Sequence, residues 1–544
     1  MGTTKKDKSK PPETPQYFPI VGVGASAGGL DAFKKLLKAI PEDSGMAYVL
    51  VQHLDPTHES LLPEILSRVT KIPVREITDD IKLAPNYIYI IPSNKILTST
   101  DGVLKLTPRN KKILNLSIDI FFTSLAEVHK EFAVGVLLSG TGSDGTIGLK
   151  AIKDHGGISI VQDTESAAYD DMPRSAINAG VVDFILPPQE ISAQLTQIYS
   201  SYKINHVFKK EDEELPKDDE EAFKQILALL HIRSGVDFSY YKRPTFQRRI
   251  ARRIAIVKKK NLSDYLTFLR SDKTEQDALF LDVLIPVTSF FRDPKTFKTL
   301  NESVFPALFK NKPYDEPIRM WIAGCSTGEE AYSIAISLHE FLKEKLSYTK
   351  IQIFASDISE KAIKTARTAF YSKADVKMLT DERLNNYFVK SNGGYEVSKL
   401  IRDMCVFAPH NFLKDPPFAK MDLISCRNVF IYMGTFLQKK ALTVFHYALK
   451  ENGFLLLGKS ESTSPASELF SLFEKNEKIY SRKSVPDRFI HIVSEPKDKK
   501  IAIKEKMITK QEPIYTDFRK SAETILLSKF TPPSVVVNEQ MDIV

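Results

Sequence analysis

The sequence predicts an α/β protein with two doubly wound, mostly parallel sheets and a small all-helical domain between them. Three observations predict it. Apolar runs of strand length alternate with amphipathic helical stretches from Tyr17 to about Tyr199, and the same alternation returns between Arg319 and Lys459. Between the two blocks, residues 223–290 carry helical periodicity and no strand-like run. At 544 residues the chain exceeds one hydrophobic core, and about 150 residues per domain suggests three or four units.

The first block, residues 17–200, opens after a lysine-bearing arm, residues 1–16, that reads as disordered and lacks the apolar stretch of a secretory signal. Lys6 stands where a myristoylation pattern wants Ser or Thr. F-P-I-V-G-V-G, A-Y-V-L-V-Q, Y-I-Y-I-I, A-V-G-V-L-L-S-G and G-I-S-I-V-Q are strands, each stopped by turn residues or a polar tip, with helices such as L-D-A-F-K-K-L-L-K-A-I between several of them. Residues 201–222 include K-K-E-D-E-E-L-P-K-D-D-E-E, an acidic linker or the charged start of a helix. In the helical domain, Phe246, Ile250, Ile254 and Val257 follow helical spacing and leave Arg248, Arg249, Arg252 and Arg253 on the other side. A solvated face and a dock for an anionic partner both fit that pattern.

The second block, residues 291–483, has strands at R-M-W-I-A-G, I-Q-I-F-A-S-D, M-D-L-I-S-C-R-N and G-F-L-L-L-G-K, with helices after the first three. Its rhythm breaks near residues 371–402, where N-G-G at 392–394 predicts a β-hairpin insert. Residues 484–544 form a lysine-rich tail whose close, T-P-P-S-V-V-V-N-E-Q-M-D-I-V, reads as a strand pair, as expected of a piece cut from a longer chain.

Composition bounds the function. Hydrophobic residues make up 42% and charged residues 26%, and no run of 18 apolar residues offers a membrane span. The three cysteines, Cys325, Cys405 and Cys426, have no metal-ligand spacing and suggest reduced thiols in a cytoplasmic protein with no structural metal. A net charge of +8 is modest for this length.

Two segments carry chemistry. Gly24-Ala25-Ser26-Ala27-Gly28 fits G-x-S-x-G between a strand and a helix, a sharp turn that presents the hydroxyl to the helix amino terminus and suits an oxyanion or a phosphate. A serine needs a base and a group to orient that base. His53 after the second strand and Asp144 after a later one are the candidates, in the order Ser, His, Asp, which is not the order of α/β-hydrolases. Singly each has a plainer role: Ser26 as a helix cap, His53 or His58 as a surface histidine, Asp144 as a turn residue. In the second block, Ala323-Gly324-Cys325-Ser326-Thr327-Gly328-Glu329 turns the first strand into a helix, and Asp357 ends the next strand, where an acidic residue commonly holds ribose hydroxyls. The three-glycine dinucleotide fingerprint and a Walker lysine are both absent from it.

G-A-S-A-G-G, V-Q-H-L-D-P, N-L-S-I-D-I-F-F, L-L-S-G-T-G-S-D-G and D-M-P-R-S-A-I, in that order, resemble the catalytic domain of CheB-type chemotaxis methylesterases. The resemblance implies Ser26 as nucleophile, His53 as general base and then acid, and Asp144 as orienting carboxylate; Ala27 stands where the family commonly has Thr. V-T-S-F-F-R-D, C-S-T-G-E-E-A-Y-S-I-A, F-A-S-D-I, H-N-F-L, C-R-N-V-F-I-Y and L-G-K-S-E-S resemble a CheR-type protein-glutamate methyltransferase over residues 223 to about 483. That implies S-adenosyl-L-methionine as cofactor, contacted by Thr288, Arg292, Glu329, Asp357, Asn411, Phe412, Arg427 and Asn428, with Arg292 and Tyr432 near the transferred methyl. Pro286 replaces the family's usual Asn.

The expectation is a bifunctional enzyme that methylates glutamates of a methyl-accepting receptor or receptor-like protein and hydrolyses the esters. The basic helix would dock on the acidic substrate, nucleic acid is not an expected partner, and the tail would open a PAS-type sensor region. The rivals are a regulatory scaffold with inactive centres and a nucleic-acid methyltransferase. The arginines favour the second of these, but the chain lacks N-P-P-Y and P-C motifs.

Overall fold

The structure is a computed structural model that describes residues 18–52, 61–100, 103–109, 116–204, 216–284, 287–310, 316–342, 350–373, 375–391 and 393–485. The arm, most of the acidic stretch, His53, His58, Pro286 and nearly all of the tail lie outside them. Strands β1 (Ile20–Ala25), β2 (Ala47–Gln52), β3 (Val74–Glu76), β4 (Ile81–Lys82), β5 (Tyr87–Ile90), β6 (Lys95–Thr100), β7 (Val103–Pro108), β8 (Ala133–Leu137), β9 (Ile158–Gln162) and β10 (Phe184–Leu186) serve the first block. Seven of them make one sheet in the order β10-β9-β8-β1-β2-β5-β3, parallel throughout. Its central strands are buried along their whole length, as helices on both faces require.

All five strands read from the first block are present. The short β3 and β10, and the antiparallel β4-β7-β6 sheet, are additions. They are two to six residues long, and some of them alternate buried with exposed positions, so no apolar run marks them.

Strands β11 (Ile318–Ala323), β12 (Ile351–Asp357), β13 (Phe370–Ser372), β14 (Phe388–Ser391), β15 (Gly394–Val397), β16 (Cys405–Pro409), β17 (Met421–Cys426), β18 (Leu449–Leu457), β19 (Phe470–Glu474) and β20 (Ile479–Arg482) follow. The second sheet runs β16-β12-β11-β17-β18-β20-β19, parallel except at β20 and its two neighbours. The insert is the antiparallel β13-β15-β14 sheet, with Gly393 at φ +85° in its turn.

Four helices, Lys217–Ser234, Arg243–Ile256, Leu262–Ser271 and Lys273–Val283, form the middle domain. The first begins inside the acidic stretch, which is therefore in part the charged start of a helix. Asp218, Asp219 and Glu220 occupy its first turn, where the helix dipole favours anions.

The basic helix Arg243–Ile256 buries Phe246, Ile250 and Ile254 among its own neighbours, as the spacing predicts. Three of the four arginines on its other face, Arg248, Arg252 and Arg253, are already paired within the chain, which corrects the expectation that this whole face waits for an acidic substrate. Ala251 and Ala255 join the first sheet's core beside Leu195, Ile198 and Tyr202. Arg248 pairs with Glu131 at 2.9 Å, and Arg253 makes a two-pronged pair with Glu275 at 2.9 and 2.6 Å. Arg252, 1% exposed, donates to Gly157 O at 2.9 Å, to both oxygens of Asp183 at 2.8 and 2.7 Å, and to Asp282. Glu131 and Asp183 come from the first sheet's domain, and Glu275 and Asp282 from the helical domain itself.

Candidate functional sites

In each sheet the order of connection reverses at one strand. β1 lies between β2 and β8, and β11 between β12 and β17. At such a point helices leave to opposite faces and a crevice opens beyond the strands' carboxyl ends. Both candidate sites stand there.

Ser26 follows β1 directly. Its amide donates to Ser139 O at 2.9 Å and its carbonyl accepts from Gly29 N at 3.0 Å, which fixes the turn ahead of the helix Gly29–Ala39. Gly28 sits at φ +75°, and a Cβ there would lie 2.7 Å from Ser139 Oγ, so the tight turn needs a glycine. Gly140, from the loop after β8, approaches so closely that a Cβ on it would stand 2.9 Å from Ser26 Cβ.

That same loop carries Asp144, 4% exposed, whose carboxylate accepts from Ile118 N at 3.0 Å, Asp119 N at 2.9 Å and Gly145 N at 3.0 Å. Ser26 and Asp144 thus belong to adjoining strand ends of one rim. His53 lies outside the described residues, two positions beyond Val51, the partner of Gly24 in the β1-β2 register.

Asp119 was not assigned a role from the sequence. It is 4% exposed and its Oδ1 accepts from Gly145 N at 2.9 Å and Gly148 N at 2.8 Å. Burial first, and then the neighbouring Asp144 carboxylate, push it up to about 7. Its place in N-L-S-I-D-I-F-F was the only available signal, and a lone acid opening a helix has a plainer reading as a dipole partner.

In the second crevice Gly324, at φ +76°, leads the loop past Val429, whose Cγ2 would stand 2.6 Å from a Cβ there. Gly324 N and Cys325 N donate to Ser356 O at 2.7 and 3.0 Å, and Asp357 at the tip of β12 accepts from Ser326 N at 2.9 Å and Ser359 N at 2.8 Å. Burial raises the Asp357 carboxyl above its ordinary value. One pocket is lined by Thr288, Arg292, Asp357, Asn411, Phe412, Arg427, Asn428 and Tyr432.

Glu329 lies instead on the adjoining cavity, accepting from Thr327 Oγ1 at 2.7 Å, with burial pushing it up to about 7. Its neighbour Glu330 lines the pocket and pairs with Arg427 at 3.3 Å. Arg427 is also held by Asp293 at 2.6 Å and Arg292 O at 3.0 Å. Glu461 accepts from Asn428 N at 3.0 Å and from Gly458 N at 2.6 Å, bracing the loop after β17. Which of two adjacent glutamates faces the pocket depends on helix phase at the first turn, which the motif alone does not fix.

The pocket fits an adenosyl cofactor. Phe246, Phe412, Leu413 and Val429 offer apolar walls, Asp357 and Asn411 offer polar partners, and the buried Nδ1 of His410, also in its lining, has no hydrogen-bond partner. All three cysteines are free thiols. No described helix is long and apolar enough to cross a membrane, and the described residues hold no cluster of three metal-ligating side chains.

Residues 21–195 match the model of the CheB methylesterase family, residues 221–284 that of the CheR methyltransferase all-alpha domain, and residues 286–479 that of the CheR methyltransferase SAM binding domain. The chain is 36% identical over 437 residues to an uncharacterized 104.1 kDa protein of Rhodobacter capsulatus; the match covers 77% of this chain and 46% of that one, so the chain spans about half of it. The chemotaxis protein methyltransferase of Escherichia coli is 32% identical over 46% of this chain and 87% of its own. A putative protein-glutamate methylesterase/protein-glutamine glutaminase of Leptospira interrogans is 33% identical over 32% of this chain and 92% of its own. Among solved structures, the CheB methylesterase catalytic domain of Thermotoga maritima is 28% identical, covering 33% of this chain and 98% of that one with a TM-score of 0.32.

Proposed function

Since the chain belongs to the CheB methylesterase and CheR methyltransferase families at once, we propose that one molecule both forms and hydrolyses methyl esters on glutamate side chains of a chemotaxis receptor or receptor-like protein. The transferase half is S-adenosylmethionine-dependent. One observation carries the reading: each sheet of this chain builds its own site at its own reversal point, with polar groups converging on both.

In the esterase half, Ser26 is the nucleophile. Its oxygen adds to the ester carbonyl while the hydroxyl proton passes to His53, whose ring Asp144 orients. The proton then leaves on methanol, and water reverses the sequence to free the enzyme and the glutamate. In the transferase half, the bound cofactor supplies a methyl on a sulfonium. Thr288, Arg292, Asp357, Asn411, Phe412, Arg427 and Asn428 would hold it, whereas Glu329 lines the adjoining cavity and not this pocket. Arg427, already shared between Asp293 and Glu330, is a fixed cationic wall more than a free hand.

The acceptor carboxylate is ionised at neutral pH, so it needs alignment and desolvation and no general base. Arg292 and Tyr432 position it. With the methyl supplied already activated by the cofactor, these residues would have no proton to move. We place this chemistry in the cytoplasm, on receptor segments that face it.

The test uses S-adenosylmethionine labelled in the methyl group. Label should enter a receptor glutamate and later leave as methanol. Ser26→Ala should abolish methanol release and spare incorporation; equal loss of both would refute two independent centres.

A further inference from the structure

Two helices, Ser117–His129 and Thr146–Asp154, begin side by side in the esterase half, and the residues before them, Leu116 and Gly145, give neither a side-chain cap. Each is capped by the acid of the other. Asp144, in the loop that leads into the second helix, accepts from Ile118 N at 3.0 Å and Asp119 N at 2.9 Å in the first turn of the first. Asp119, in that turn, accepts from Gly145 N at 2.9 Å and Gly148 N at 2.8 Å at the start of the second. Gly148 lets the two ends come this close, since a Cβ there would fall 2.3 Å from Phe122 Cβ.

The exchange brings both carboxyls onto one donor: the Gly145 amide serves Asp119 Oδ1 at 2.9 Å and Asp144 Oδ1 at 3.0 Å, and both residues are buried. Two full negative charges that close, out of water, repel strongly, and one proton between them relieves the repulsion. Two helix amino termini supply about half a positive charge each, which matches one carboxylate and not two. Asp144 is that carboxylate, because its two oxygens together take three N–H bonds, whereas Asp119 takes its two on Oδ1. Strands β1 and β8, which pack on these turns through Gly24 and Leu137, carry no titratable side chain, and neither does the first turn of the helix Thr146–Asp154; Asp144 is the charged group that acts on Asp119. A cap alone needs only a neutral hydroxyl or amide. Here a second acid is buried against the one that shares a rim with Ser26.

We propose that Asp119 is a positioning residue of the esterase: its carboxyl holds the single proton of the pair and donates it to Asp144, which fixes the orienting carboxylate in place and limits the pair to one negative charge. The proposal rests on the esterase reading above and adds a fourth side chain to it. Asp119 acts through Asp144 and not on the ester itself. When Asp119 ionises, a second charge settles beside Asp144 and tightens the hold of the base on its proton.

The experiment measures methanol release by the full chain from a synthetic peptide bearing a glutamate methyl ester, well below the melting midpoint of each variant. Asp119→Ala removes both cap and donor, and kcat falls about tenfold or more with KM unchanged, as expected when a group that orients the base is misplaced. Asp119→Asn restores most of the rate at neutral pH, since its amide donates to Asp144 and its oxygen accepts from both glycines. The pH profile separates this variant from the parent: the parent has a step at about 7, where Asp119 ionises, beside that of the base, and Asp119→Asn has the step of the base alone. A purely structural cap gives a different split, in which Asp119→Ala melts lower but hydrolyses at the parental rate while folded. That result overturns the proposal, and so does a step at about 7 that persists in Asp119→Asn. Should Asp119→Ala not fold, the profile of Asp119→Asn decides alone. A parent that releases no methanol ends the esterase reading and the role of Asp119 with it; an active parent beside an unimpaired Asp119→Ala ends that role alone.

Discussion

At the scale of single residues, the buried carboxylates Asp119 and Asp144 show how one fold keeps two acids side by side. Asp119 is raised by burial and by Asp144, so the folded chain holds its proton over a range in which the unfolded chain has already released it. The group therefore favours folding most below pH about 4, the ordinary carboxyl value, and that contribution falls as pH climbs towards about 7, then levels off. Asparagine matches the protonated form, since its oxygen can take over both hydrogen bonds from Gly145 and Gly148. Asp119→Asn should then flatten the decline in thermal midpoint between pH 4 and 7. An undiminished decline in the variant would show that another group titrates there. The positions of Ser26, Asp144 and Asp357 beyond strand ends were legible in the sequence: Ser26 follows β1, Asp357 ends β12, and Asp144 sits in the loop after β8. Asp119 and Glu330 were not, because neither a first-turn acid nor one of a glutamate pair declares which way it faces.

At the scale of elements, the helix Arg243–Ile256 was legible in its period and misread in its partner. Apolar spacing identifies which face is buried within the helical domain, and that face is buried as expected. Spacing says nothing of a second domain arriving on the cationic side, where small Ala251 and Ala255 allow close packing and Arg252 finds Asp183. Asp183→Ala should leave a nearly inaccessible guanidinium short of a partner and cost about 3–5 kcal/mol in urea unfolding. Pairing it with Arg252→Met should recover much of that, since an apolar side chain carries no desolvation penalty. A loss under about 1 kcal/mol in the single variant, the scale of exposed pairs, would mean the clamp is not structural.

At the scale of the whole molecule, the two halves share a core, so their stabilities should be linked. The single tryptophan, Trp321, is buried in β11 and donates to Ser356 Oγ at 2.8 Å, so its fluorescence reports unfolding of the transferase half alone. Ester hydrolysis reports the other half. S-adenosylhomocysteine binds only the folded transferase, and at about 100 times its dissociation constant stabilises it by about 2.7 kcal/mol. Both the fluorescence midpoint and the temperature at which hydrolysis is lost should rise together; hydrolysis lost at an unchanged temperature would show two independent bodies. By itself the sequence determined two open sheets, a helical domain between them, a serine turn and an adenosyl turn, because each is written in local period and in residues that must follow one another. Only the tertiary structure decided that Arg248, Arg252 and Arg253 are paired within the chain, and that a cavity is lined by residues of both halves. Those are matters of which distant surfaces meet, and burial and pairing across that meeting belong to neither segment's own pattern.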